Sequence, residues 1–104
     1  MAQRVYEAGE LPESGIDASA AFARDHLEAA RSILADADCL AIVLPPAGPD
    51  HADWRRALAR DLARAYAPKR TNVVAGEDTT NREALLTYLA NAHGVTGHYL
   101  EAHD

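Results

Sequence analysis

Asp53–Asp78 reads DWRRALARDLARAYAPKRTNVVAGED, and its reading decides the fold. Apolar residues recur at helical spacing from Trp54 to Tyr66, and Pro68 stops the helix because it offers no N–H to continue it. Asn72–Ala75 is then a short apolar run closed by Gly76, the pattern of a buried strand ending in a turn. Helix, proline stop, strand and glycine together make one α/β unit.

The same alternation extends in both directions. Upstream, CLAIVL (Cys39–Leu44) is apolar without interruption, which suits a central parallel strand covered on both faces, and the prolines of PPAGP end it. Before that, Asp17 offers an N-cap for a helix running to about Asp36, with Ala23, Leu27, Ala30 and Leu34 inward and Phe22 and Ile33 at the flanks. RVYEA (Arg4–Ala8) is a short strand candidate, polar enough to lie antiparallel at an edge. Asp50 caps the second helix in this reading. Downstream, TNRE (Thr80–Glu83) reads as a capping box opening a third helix through Leu85, Leu86 and Leu89, with Gly94 as its C′ glycine. HYLEA (His98–Ala102) is the last strand. The expected fold is a single α/β domain over residues 1–104, with a mostly parallel sheet of about four strands and about three helices.

Composition narrows the function classes. Ten basic residues, nine of them Arg and the tenth Lys69, stand against sixteen acidic ones, a net charge of −6, which disfavours a nucleic-acid partner. Cys39 is the only cysteine, so no disulfide forms within the chain, and a buried thiol in a reducing compartment is expected. MAQRVYEAGELPES has no apolar core of a signal peptide and no run approaches a membrane span, so a cytoplasmic protein with no membrane partner is expected.

Several segments resemble short-chain dehydrogenases/reductases. LARDLARAYAPKRTNVVAGED is similar to the segment after that family's catalytic lysine, where a helix ends in Ala-Pro and leads into an Arg-Val-Asn-type strand. The matching positions are Leu58, Leu62, Ala67, Pro68, Asn72 and Ala75. LLTYLANAHGVTGHYLEAHD is similar to the family's last helix and strand through Leu89-Ala90, Val95-Thr96-Gly97 and Leu100. DCLAIVLPPAG matches less closely the strand that carries Asn-Ala-Gly, with Pro46 where the Asn would stand. The resemblance spans about residues 38–102 and implies a minimal Rossmann-like domain.

The family's chemistry is missing from it. The glycines stand at 9, 15, 48, 76, 94 and 97, and no two of them form the turn that lets backbone N–H groups approach a pyrophosphate. Counting back from Ala67-Pro68, the Tyr-x-x-x-Lys positions fall on Gly48 and Ala52. Gly76-Glu77-Asp78 runs straight into the third helix, leaving no substrate lid. No cofactor is therefore expected, and the resemblance implies a truncated, non-catalytic relative acting as an oligomerising or accessory subunit: a homodimer, or a hetero-oligomer with a full-length reductase.

Other residues were weighed for chemistry of their own. Pro46, Gly48, Asp50 and His51 lie after a strand's carboxyl end, where open α/β sheets place ligands, and define a candidate small-ligand or nucleotide pocket that could also serve an enzyme; the plainer reading is a rigid turn. Asp50, His51 and Asp53 read first as helix capping, with His51 exposed. His93, His98 and His103 share no face, so no metal site is expected. On the second helix, Ala52, Ala59, Ala63 and Tyr66 widen the apolar arc beyond what one sheet needs, an arc that Arg55 interrupts. With Tyr99 they form a candidate subunit interface, the alternative being burial against the chain's own first helix. Arg56, Arg60 and Arg64 read as a solvated face.

Overall fold

A computed structural model describes residues 3–76 and 78–102. Four strands, β1 (Arg4–Glu7), β2 (Cys39–Leu44), β3 (Arg70–Ala75) and β4 (Tyr99–Glu101), form one sheet in the order β1-β2-β3-β4, every neighbour parallel. The two apolar strands are central, as their unbroken hydrophobicity requires: all six residues of β2 are buried. β1 does occupy an edge, but parallel to β2, with Val5 opposite Ala41 and Glu7 opposite Val43.

Four helices rather than three pack on the sheet: α1 (Gly15–Asp25), α2 (Leu27–Asp36), α3 (Ala52–Ala65) and α4 (Thr79–Asn91). The expected helix from Asp17 to Asp36 is broken at His26, whose backbone (φ −127°, ψ −21°) leaves the helical region. There the ring lies against Phe22 and shares a 2.7 Å hydrogen bond with the Tyr6 hydroxyl of β1, a long-range contact that local helix propensity does not encode. The break also changes the buried stripe: Ala18, Ala21 and Phe22 face inward and Ala23 is exposed, while Ala30 and Leu34 are buried as expected.

The faces of the sheet separate cleanly. Leu40, Ile42, Leu44 and Val73 pack against Phe22, Ala30, Leu34, Ala59 and Leu62 of α1, α2 and α3. Ala41, Val43 and Val74 pack against Leu86 and Leu89 of α4. Since strand order advances in one direction, this change of face is a change of hand, and the β3–α4–β4 crossover has the hand opposite to the two before it. Right-handed crossovers are the strong rule. Here β3 is apolar on both faces, and α4 supplies the cover its second face needs.

Two helix starts differ from the sequence expectation for one shared reason: several polar residues within a turn compete for the cap. Ser14, not Asp17, caps α1, accepting from the Asp17 N–H at 3.1 Å. Asp78 caps α4 by accepting from Thr80 and Asn81, so the Thr80–Glu83 capping box does not form. Asp50 makes no capping bond; Pro49–His51 form a 3-10 turn that feeds directly into α3. Gly94 does not take the left-handed C′ conformation. Instead Arg70 Nη1 donates to the Leu89 and Ala92 carbonyls, both at 2.9 Å, closing the end of α4 with a cation that also suits the helix dipole. Next to it, Lys69 Nζ donates to the Leu34 and Ala35 carbonyls at the end of α2. Adjacent residues leading into β3 thus close helices on opposite faces of the sheet.

The left-handed glycine is Gly97, at φ +77°. Its N–H donates to the Thr71 carbonyl at 2.7 Å, and a Cβ there would sit 3.4 Å from that of Ala63. Gly97→Ala is expected to cost about 1–2 kcal/mol from the backbone conformation alone, read as a lower urea midpoint at unchanged m-value.

Candidate ligand cleft

A cleft of about 350 Å³ opens at the carboxyl ends of β1 and β2. Its floor and one wall come from the β2–α3 connection, through Pro46, Gly48, Asp50 and His51, and the facing wall from Leu11, Pro12 and Glu13 after β1. The four residues singled out in the sequence as a candidate pocket therefore line one cavity. Its position follows from topology: parallel strands whose connections leave to their helices open a crevice at this end of the sheet.

His51 is not exposed but 5% accessible, and both of its ring nitrogens are committed. Trp54 Nε1 donates to Nδ1 at 3.1 Å, which makes Nδ1 the acceptor. Nε2 must then carry the proton and donate to the Glu13 carbonyl, 2.7 Å away. The Asp50 carboxylate lies 3.8 Å from Nε2, too far to share that bond, and points largely to solvent. An imidazole with its one lone pair occupied is poorly placed to act as a general base. Its role in this arrangement is to tie the loop after β1 to the start of α3. Cys39 offers no nucleophile: burial pushes its thiol up, away from the thiolate.

Sequence reasoning missed the residue that sets the character of the cleft. Arg55, in the first turn of α3, is 1% accessible and also lines the cavity. Nη1 donates to the Tyr99 hydroxyl at 3.1 Å, and the guanidinium carbon lies 5.4 Å from the Trp54 ring centre and 5.7 Å from that of Tyr99. Its Nε has no partner among the described residues. The helical spacing carried the signal: Arg55 lies on the same stripe as Leu58, Ala59 and Leu62, so the interruption of the apolar arc falls on the buried side.

The candidate interface residues are distributed otherwise than on one open face. Ala59 is wholly buried in the core, and Tyr66 packs against it while its hydroxyl accepts from Arg31 at 3.1 Å. Ala63 faces Gly97, Tyr99 meets Arg55, and Ala52 is half-buried at the head of α3. Arg56, Arg60 and Arg64 are exposed, with Asp53 3.3 Å from Arg56 and Asp61 4.0 Å from Arg64, a solvated charged face. His93 and His98 are exposed, and His103 lies outside the described residues. No group of three or more potential metal ligands occurs among the described residues.

A family model described as "SDR-like: Short chain dehydrogenase-like protein" matches residues 6–102 of the chain. The chain belongs to this short-chain dehydrogenase-like family. The match reaches back to β1, well before residue 38, where the resemblance in the sequence begins. No curated protein and no solved structure matches the chain. Gly48 and Ala52, on which the Tyr and Lys positions fall by the sequence resemblance, lie in the connection before α3 and at its first residue. A glycine and an alanine supply neither a phenol nor an ammonium. No helix among the described residues is long and apolar enough to cross a membrane.

Proposed function

We propose that this chain is a member of the short-chain dehydrogenase-like family that does not transfer hydride and works instead by binding a small molecule in the cleft after β1 and β2. The observation that carries this reading is the composition of the cleft. It lies at the fold's ligand-binding position, carries Gly48 where the sequence resemblance puts the family's tyrosine, and its one imidazole, His51, has no free nitrogen. A cytoplasmic setting suits the single buried Cys39. A ligand that binds only the folded chain raises its melting temperature by mass action. A thermal-shift series with nucleotides, nicotinamide cofactors, acyl-CoA and small polar metabolites should therefore contain at least one saturable stabiliser. A series in which nothing stabilises the chain at millimolar concentration would end this reading.

A second reading, an accessory subunit forming a homodimer or joining a full-length reductase, draws on a different feature. Ile16 is 85% accessible and, with Trp54, lines a hollow of about 620 Å³ edged by Ser14, Ser19, Asp50 and Asp53. Exposed apolar surface next to a concavity invites a partner. The candidate interface residues Ala52, Ala63, Tyr66 and Tyr99 remain available to this reading in so far as they are half-buried. Sedimentation of the purified chain at high micromolar concentration checks it: a dimer that dissociates when Ile16 is changed to Asp supports it, and a monomer with no partner in native extract removes it.

A further inference from the structure

We propose that the cleft is a receptor for a small carboxylate that also carries a hydrogen-bond donor, a hydroxy or amino acid, with Arg55 as its anchor. The inference rests on the binding reading above and gives it a chemical class.

The charges around Arg55 are unbalanced. A guanidinium keeps its charge under all ordinary conditions, and a buried one is normally paired with a carboxylate. Arg55 is 1% accessible and has no acidic partner among the described residues, where arginine pairs with a carboxylate at Arg24–Asp25, Arg56–Asp53 and Arg64–Asp61. Its neighbours are a neutral phenol and two aromatic faces. Of its donors, Nη1 is engaged by Tyr99, while Nε is buried without a partner and Nη2 donates to no described residue. Nε and Nη2 form the side-on edge of the guanidinium, two parallel N–H groups that match the two oxygens of a carboxylate. That edge has no partner among the described residues, its Nε shielded from solvent, and Arg55 is one of the residues that line the cleft.

The surroundings choose among anions. Pro12, Pro45 and Pro46 bring no N–H groups to the cleft. Glu13 and Asp50 stand on its rim. Two acidic side chains repel a phosphate dianion more than a carboxylate monoanion, and they accept from a hydroxyl or ammonium on the same ligand. One buried cation facing two rim acceptors is the complement of a molecule with one carboxylate and a nearby donor. A cavity of about 350 Å³ is at the small end of the range for ligand sites.

The test is a titration of the isotopically labelled full chain with L-lactate and L-serine, followed by NMR at constant ionic strength. Lactamide and inorganic phosphate serve as comparisons. The expected result is a saturable shift of the Arg55 Nε–H signal with lactate and serine, with the Gly48 amide moving at the same midpoint. Lactamide and phosphate should bind at least tenfold more weakly. Arg55→Lys, which keeps the charge but not the fork, should weaken lactate at least tenfold, and Arg55→Met should abolish its effect. The Nε–H readout in the unaltered chain holds even where a variant fails to fold. An Nε–H signal unmoved by either acid at tens of millimolar overturns the proposal, and so does preference for phosphate or equal binding by folded Arg55→Met. If lactamide or another neutral molecule shifts Gly48 alike in the unaltered chain and in Arg55→Met, the binding reading survives and the anion inference falls. If no small molecule moves any cleft signal, both fall.

Discussion

Asn72→Ala is expected to destabilise the chain by about 2–4 kcal/mol, the most damaging single change considered. Asn72 is 0% accessible in the middle of a strand, where an amide is normally unwelcome. It is satisfied on both sides: Nδ2 donates to the Val95 carbonyl at 3.0 Å, and Oδ1 accepts from the His98 N–H at 3.1 Å. The side chain thus holds the connection between α4 and β4 onto β3 at two backbone points. Truncation removes both bonds, strips two main-chain groups of their partners and leaves a void, and these losses add. Because β4 is only three residues long, its pairing depends on this clamp more than on its own ladder. Urea denaturation of Asn72→Ala should show the lower midpoint, and hydrogen exchange should show β4 amides losing protection before those of β2. Asn72→Asp should fare no better, since it keeps the acceptor while removing the donor and adding a buried charge.

Arg55→Met is expected to move stability the other way, raising that of the ligand-free chain by about 1–3 kcal/mol. A buried charge carries an effective desolvation penalty of several kcal/mol, and among the described residues Arg55 has no carboxylate to offset it. Against this stand one charged hydrogen bond to Tyr99, about 1.5–3 kcal/mol, and ring contacts of about 0.5–1 kcal/mol each. Methionine fills similar space beside Trp54 and Tyr99 without a charge, and Tyr99, half-buried, can turn its hydroxyl to water. The melting temperature should rise by several degrees, since 1 kcal/mol is worth about 4–8 °C in a domain of this size. A drop of similar size would mean that the aromatic contacts alone accommodate the guanidinium.

Legibility from sequence divided along a physical line. β2 and β3 were readable because a strand buried on both faces has no polar alternation, and no other element of ordinary length gives CLAIVL. α3 was readable because its periodicity runs unbroken to Pro68. The helix caps were not: Ser14 and Asp17, or Asp78 and Thr80, are each competent N-cap residues two or three positions apart, and packing chooses between them. The break at His26 depends on Tyr6, a long-range contact that no local pattern carries. The end of α4 was assigned to a glycine because the competing partner, Arg70, lies far away in sequence on a strand.

In the site the same line holds. Pro46, Gly48, Asp50 and His51 lie within six consecutive residues, so one turn brings them to the same cavity. What the turn faces comes from elsewhere in the chain: the Glu13 carbonyl that engages His51 and the Tyr99 hydroxyl that engages Arg55. Arg55 was visible as an interruption of an apolar arc but was not read as buried. A lone arginine at core spacing is the sequence trace of such a residue, because helical phase fixes which side of the helix it occupies.

On the reading proposed above, the chain keeps its family's fold and a ligand-binding crevice but not its hydride chemistry. The most direct measurement follows nicotinamide absorbance in mixtures of the purified full chain with NAD(P)H and carbonyl substrates, and with NAD(P)+ and alcohols. The expected rate equals that without protein in every mixture. Protein-dependent turnover that disappears in Asp50→Ala or His51→Ala would contradict the claim and make the cleft an active site for hydride transfer.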